Sequence, residues 1–157
     1  MKKIWYSWEE MRRDVNVLAR TIVLDKFDPQ VIVGVSRGGL TPGVMLSHWF
    51  HKPFKPVKAA LRDFQTWEDY LPRPSDERVL IVDDVCDSGE TFKKMSNYIK
   101  GPRKNQPMET PVDVRFASLW WNNEIEFEPH YYVQECAKDS ENIWINFCWE
   151  SWWNAPV

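Results

Sequence analysis

The sequence predicts an α/β protein, with a mostly parallel central sheet and helices on both of its faces. Two short runs, Val31–Val35 and Val79–Val82, are continuously apolar and rich in β-branched residues, as expected of strands buried on both sides. Each is followed by a polar, glycine-bearing turn and then by a helical stretch, the alternation from which such sheets are built. A chain of 157 residues, 43% of them hydrophobic, suits one domain that buries a core without staples.

The elements follow in order. Ser7-Trp8-Glu9-Glu10 has the form of a capping box, and Met11, Val15, Leu18 and Ile22 continue at spacings of four, three and four, so a helix is expected from about 8 to 25. Asp28-Pro29 breaks it before the strand at 31–35. Ser36-Arg37-Gly38-Gly39 turns sharply into an apolar helix over roughly 41–50. Pro53 and Pro56 bracket a connection, and 57–61 reads as a second strand. Residues 62–78 are polar, aromatic and proline-bearing without periodicity, which reads as a lid. A strand over 78–82 ends in Asp83-Asp84, and a helix from about 89 to 100 is closed by Gly101-Pro102. Strands are expected at 112–120 and 131–133.

Composition excludes several classes of function. Net charge is −3, so no overall positive field draws a nucleic-acid backbone. No run of 18 apolar residues occurs, and Met1-Lys2-Lys3-Ile4-Trp5 carries no apolar signal core, which disfavours export and membrane spanning. Three cysteines, Cys86, Cys136 and Cys148, form no C-x-x-C pair, and a reducing, cytoplasmic setting fits. His48, His51 and His130 lack metal-ligand spacing. Six of the ten tryptophans lie between 120 and 153, where core or subunit contacts are the expected use.

Chemistry concentrates where glycine does. Four of six glycines fall between 34 and 43, and Gly89 lies in a second strand-to-helix turn. Open α/β sheets bind ligands beyond the carboxyl ends of their strands, and helix N-termini there offer unpaired N–H groups to anions. Two neighbouring anion sockets are therefore expected. Adjacent carboxylates at a strand end cannot both serve an apolar core, and they suit sugar hydroxyls or Mg²⁺. The Gly-Lys-Ser/Thr pattern of a P-loop is absent, which disfavours triphosphate hydrolysis.

The thirteen residues Val79-Leu80-Ile81-Val82-Asp83-Asp84-Val85-Cys86-Asp87-Ser88-Gly89-Glu90-Thr91 resemble the phosphoribosyl pyrophosphate (PRPP) signature of the type I phosphoribosyltransferases. Val33-Gly34-Val35-Ser36-Arg37-Gly38-Gly39 is similar to the pyrophosphate loop of that family's purine branch. Ser7-Trp8-Glu9 and Trp144-Ile145 extend the likeness over nearly the whole chain, nearest to small xanthine-guanine and hypoxanthine-guanine enzymes. The resemblance implies one phosphoribosyltransferase domain over 1–157, with the lid at about 62–78 and a base-binding hood at about 118–157.

It also implies roles. Asp83 and Asp84 would hold the ribose and Mg²⁺, and Ser88, Gly89, Glu90 and Thr91 would wrap the 5′-phosphate. Ser36, Arg37, Gly38 and Gly39 would take the pyrophosphate, with a cis peptide between Ser36 and Arg37; an ordinary tight turn is the alternative. Asp87 and Arg37 are the catalytic candidates. Asp87 would accept a proton near N7 of the purine, a role compatible with its other one, capping the following helix. Trp144 would stack on the base, though filling the core is an equal use for it, and Ile145 would offer main-chain groups to the 2-position. Trp149, Trp152 and Trp153 read as core.

Two departures bear on the base. Ser118 stands at the matching place of a lysine that donates to the purine 6-oxygen in the resembled enzymes, and Leu61-Arg62-Asp63-Phe64 replaces a Ser-Tyr pair in the lid. The implied reaction is Mg²⁺-dependent transfer of the 5-phosphoribosyl group from PRPP to a free nucleobase in purine salvage, giving a nucleoside monophosphate and pyrophosphate. Guanine, hypoxanthine or xanthine leads as acceptor, and a homodimer or homotetramer is the expected assembly. A PRPP-binding regulator of the same fold without turnover is the competing reading, disfavoured by the acidic composition. An idle scaffold and a plain flavodoxin-like fold leave the paired acids unexplained.

Overall fold

A computed structural model describes residues 1–58, 78–100 and 113–156. Five parallel strands form the central sheet, in the order β3 (Phe54–Lys58), β2 (Val31–Ser36), β4 (Arg78–Cys86), β5 (Asp113–Asn122), β6 (Gln134–Cys136). β2 and β4 are neighbours, with Val33 opposite Ile81 and Gly34 opposite Val82, so their carboxyl ends emerge together.

Helix α1 (Trp8–Leu24) begins at the expected capping box: Glu10 N–H donates to Ser7 Oγ at 3.1 Å, and Ser7 N–H donates to Glu10 Oε2 at 2.8 Å. Its stripe of Met11, Val15, Leu18 and Ile22 is buried against Ile32, Leu80, Val82, Ala117 and Leu119, and Leu46 of helix α2 (Leu40–Phe50) joins that face. Helix α3 (Glu90–Lys100) covers the other face, placing Phe92, Met95 and Ile99 on Val31, Val33, Val79, Ile81 and Phe116. The continuous apolar runs are thus explained, because β2 and the first half of β4 have a packed layer on each side.

Several elements differ from the sequence reading. The second strand starts at Phe54, not 57, and runs through Pro56; it lies at the sheet edge, where a missing N–H breaks no ladder on its outer side. Residues 59–61 lie outside the described residues, as does the proposed lid up to 77. Arg78, its last residue, opens β4 and donates from Nε to the Asp28 carbonyl at 2.6 Å. β4 itself continues through Asp83 and Asp84 to Cys86. At 131–133 there is only a bridge between Tyr131 and Ala117, and the strand comes three residues later.

A second, two-stranded sheet was not expected. β1 (Lys2–Tyr6) pairs in parallel with β7 (Ile143–Phe147), with Ile4 opposite Ile145. Tyr6 anchors it, its hydroxyl donating to buried Asp14 of α1 at 2.5 Å and its ring lying edge-on to Trp120 and Phe147. Residues 118–122, assigned to the hood from the sequence, instead complete β5 of the central sheet. Trp152 and Trp153 are exposed rather than core, while Trp149 stacks on Phe147 with ring centroids 5.0 Å apart. Among the described residues no helix is long and apolar enough to cross a membrane.

Candidate active site

The tips of β2 and β4 share recesses with β7: Arg37 and Gly38 border one with Trp144, and Asp84 and Val85 border another with Trp144 and Ile145. After β4, the turn Asp87-Ser88-Gly89 delivers the chain into α3, where Lys93 N–H donates to the Gly89 carbonyl to close the first helical turn. Ser88 Oγ accepts from Glu90 N–H at 3.3 Å. Gly89 has φ of +76°, and a Cβ there would lie 2.7 Å from Phe127 Cβ, so both conformation and space exclude a side chain. Asp83, Asp87, Ser88, Gly89 and Thr91 line a small recess of about 70 Å³ at this helix start. Unpaired N–H groups of the first turn make such a place receptive to an anion.

β2 ends at Ser36, and the Ser36–Arg37 peptide is cis. The turn then closes as Gly39 N–H donates to the Val35 carbonyl at 2.8 Å and Leu40 N–H to the Arg37 carbonyl at 3.0 Å. A Cβ on Gly38 would stand 2.1 Å from Asp84 Oδ2, and one on Gly39 would stand 2.2 Å from the Val82 carbonyl oxygen. The two loops are therefore in direct contact, main chain of one against acid of the other. Arg37 is exposed and borders a cleft of about 670 Å³ together with Trp144, Asn146, Glu150 and Trp153.

Asp83 and Asp84 are half-buried, and each carboxylate turns back on the strand: Asp84 N–H donates to Asp83 Oδ1 at 2.9 Å, and Val85 N–H donates to Asp84 Oδ1 at 2.7 Å. Burial, reinforced by the charge of Asp84, holds the Asp83 carboxyl well above the usual carboxylate range. Burial also raises Asp84, and hydrogen bonds from Asp83 and Val85 oppose that rise. Cys86 beside them is buried in the core, and desolvation pushes its thiol up to about 12.

A third recess, about 80 Å³, joins Asp84 and Val85 to Trp144, Ile145, Glu150 and Lys138. Strand alternation in β7 turns Trp144 outward, 46% exposed, and Ile145 inward to the core, so Ile145 has only main-chain atoms to offer here. Ser118 is a correction to the sequence reading. It is fully buried in the middle of β5, opposite Asp83, with no hydrogen-bond partner for Oγ among the described residues, and so cannot reach a base in the cleft.

Two residues the sequence reading missed complete the site. Lys138 Nζ forms an ion pair with Asp87 Oδ2 and lies 5.6 Å from the centre of the Trp144 ring. Asn122, 1% exposed at the end of β5, holds the loops together: Nδ2 donates to the Asp87 carbonyl at 3.2 Å and to Asp139 Oδ2 at 3.4 Å, while Oδ1 accepts from the N–H groups of Lys138 at 3.2 Å and Glu124 at 3.3 Å. Neither residue sits in a motif. Only the pairing of β5 with both β4 and β6 brings 87, 122 and 138 together.

Residues 3–155 match the family model described as phosphoribosyl transferase domain. The chain belongs to that family. It is 27% identical over 160 residues to the xanthine-guanine phosphoribosyltransferase of Gluconobacter oxydans (strain 621H), covering 96% of this chain and 84% of that protein. The same-named protein of Idiomarina loihiensis is 27% identical over 157 residues, covering 95% and 88%. Among solved structures, a purine phosphoribosyltransferase from Pyrococcus horikoshii Ot3 superposes with a TM-score of 0.75 at 29% identity, covering 100% of this chain and 98% of that one. In this phosphoribosyltransferase the mostly parallel sheet with helices on both faces is the type I fold expected from the sequence.

Proposed function

We propose that the enzyme transfers the 5-phosphoribosyl group of PRPP to a purine carrying a 6-oxygen, releasing pyrophosphate and a nucleoside monophosphate, as part of purine salvage in the cytoplasm. One observation carries this reading: the Gly38–Asp84 contact fixes two anion-receptive loops side by side, so a single sugar with a phosphate at one end and a diphosphate at the other spans them.

In this arrangement Ser88, Gly89, Glu90 and Thr91 hold the 5′-phosphate at the start of α3, through N–H groups and the hydroxyls of Ser88 and Thr91. Ser36, Arg37, Gly38 and Gly39 hold the diphosphate, with the Arg37 guanidinium offering forked donors to its oxygens. The carboxylates of Asp83 and Asp84 accept from the ribose hydroxyls and favour the cationic sugar as the C–O bond to pyrophosphate breaks and a C–N bond to the base forms. Asp87 accepts the proton that the base's imidazole ring gives up. Trp144 supplies a flat face for stacking, and Ile145 presents main-chain groups beside it.

The residues present fit Mg²⁺. Among the described residues no three His, Cys, Asp or Glu side chains converge. Mg²⁺ instead takes one or two carboxylates along with water and substrate phosphates, and the Asp83–Asp84 pair beside the glycine loop offers that donor set. When bound, it would neutralise charge on the diphosphate.

Incubating the protein with PRPP, Mg²⁺ and a panel of free bases, with nucleotide and pyrophosphate measured, tests the proposal. Equal yields of both products with hypoxanthine, guanine or xanthine are expected. PRPP binding without any product would instead establish the regulatory reading. A homodimer or homotetramer belongs to the same proposal and is tested by sedimentation.

A further inference from the structure

One carboxylate oxygen joins the two sheets. Among the described residues Asp14 is the one charged side chain buried in the core, at 1% exposure on the inner face of α1. Its Oδ2 accepts from two directions, from the Tyr6 hydroxyl at the end of β1 at 2.5 Å and from Gln134 Nε2 on β6 at 3.0 Å. Oδ1 turns outward to Nε of Arg13, a mostly exposed partner, at 3.3 Å. Helix α1, the small sheet and the edge strand of the central sheet thus meet at one atom. A buried ion pair is weak evidence for stability, since a well-packed apolar side chain of similar volume often serves as well. Packing alone therefore gives no reason for an acid at this place.

What the acid holds in register is the strand beside β1. Lys3 pairs with Trp144, Ile4 with Ile145 and Tyr6 with Phe147, and the Tyr6 ring stands edge-on to Phe147 with centroids 5.7 Å apart. The main chain carrying Trp144 and Ile145 is therefore referred to β1, and β1 is referred to α1 through Tyr6 and Asp14. Gln134 supplies the second reference: β6 pairs with β5, and β5 pairs with β4, which carries Asp83 and Asp84. Apolar contacts around Tyr6 hold the sheets together without fixing a direction. A hydrogen bond fixes both distance and angle.

We propose that Asp14 is a positioning residue, whose buried oxygen sets where the β1–β7 sheet sits relative to β4 and so how Trp144 stands to the acids at the strand tip. Asp84 and Trp144 border one recess, and Asp14 acts on it through Tyr6 without touching substrate. The inference rests on the phosphoribosyl-transfer reading, in which the β7 residues meet the acceptor and the glycine-bearing turns hold the donor. Loosening the small sheet should then show in the acceptor and not in the donor. A misplacement of about 1 Å arising far from the chemistry can cost about 10²-fold in rate.

The experiment compares wild type with Asp14→Leu, Asp14→Asn and the double variant Tyr6→Phe, Asp14→Leu. It reads the KM of whichever of guanine, hypoxanthine or xanthine wild type uses best, titration of PRPP with Mg²⁺, urea unfolding, and amide hydrogen exchange. Asp14→Leu should raise the KM of the base by about 5- to 20-fold and leave PRPP affinity within about twofold of wild type. Exchange across 143–147 should quicken in the same variant. Asp14→Asn keeps an acceptor toward Tyr6 and Gln134 and should restore most of the KM. The double variant sets two apolar groups against each other and leaves half-buried Gln134 to turn to water, so it should regain stability while the KM stays raised. Gln134→Ala, on an edge strand, keeps the question open if a core variant fails to fold, and should raise the same KM by about two- to fivefold. An unchanged KM in Asp14→Leu or Gln134→Ala, equal losses for base and PRPP, or a KM that recovers together with stability in the double variant each overturns the inference and leaves the transferase reading intact. Wild type that binds PRPP yet makes no nucleotide from any base overturns the transferase reading itself.

Discussion

Replacing Asn122 with alanine tests whether one buried amide organises the site. Its four hydrogen bonds run from 3.2 to 3.4 Å, so none is strong alone, and a net contribution of about 0.5–1.5 kcal/mol each is the ordinary range. The ends at Asp139 and Glu124 are exposed, and water can take over there. The Asp87 carbonyl and the Lys138 N–H are less accessible, and leaving such groups unsatisfied costs about 1–3 kcal/mol apiece. A total loss of about 2–6 kcal/mol follows. At about 2–4 °C per kcal/mol for a chain of this size, the melting temperature should fall by about 4–24 °C. Urea unfolding measures the first figure and calorimetry the second. Asn122→Asp is the companion: it keeps the acceptor but turns the Nδ2 donor into an oxygen facing a carbonyl and a carboxylate, and should be at least as damaging. With either variant kcat/KM should drop by more than tenfold below its melting range, because Asp87 and Lys138 lose their common tether. A stability change under 0.5 kcal/mol with turnover retained would refute the assignment.

Asp84→Asn should weaken PRPP binding in the presence of Mg²⁺ by at least about tenfold in a titration, since one of two carboxylates for sugar and metal is lost; unchanged affinity removes that assignment. Gly38→Ala and Gly39→Ala should part company. The first collides with the Asp84 side chain, which can swing away, so the protein folds but binds PRPP poorly; the second meets the Val82 carbonyl and should be strongly destabilised, as melting curves would show. Burial and Asp25 push the Tyr131 hydroxyl up to about 12. Between about pH 10 and 12 the unfolded chain releases that proton while the folded one keeps it, so stability falls as pH rises, by about 1–2 kcal/mol. Tyr131→Phe should flatten that slope in urea titrations, and an identical slope would contradict the assigned cause.

Strands β2 and β4 and helix α1 were legible because their signals are local: β-branched runs buried on both faces, and a four-three-four stripe behind a capping box. The two glycine-bearing strand-to-helix turns were legible for the same reason, each being a contiguous motif. β1 was not, since Lys2–Tyr6 alternates weakly and acquires its meaning only from a partner about 140 positions away. Ser118 misled because a motif position was transferred without the depth of β5, which places it wholly inside. Lys138 and Asn122 carry no sequence signature at all, for their roles arise from which strand lies beside which.

The parallel pairing of β1 with β7 also has a consequence for synthesis. The strand Lys2–Tyr6 has no partner until Ile143–Phe147 has been synthesised and has left the ribosome, so the two-stranded sheet is among the last parts of the fold to form. Strands β2, β3 and β4 and helices α2 and α3 are all present by residue 100 and can begin to pack earlier. The glycine-bearing turns at 36–39 and 87–91 can therefore take shape before the sheet that carries Trp144.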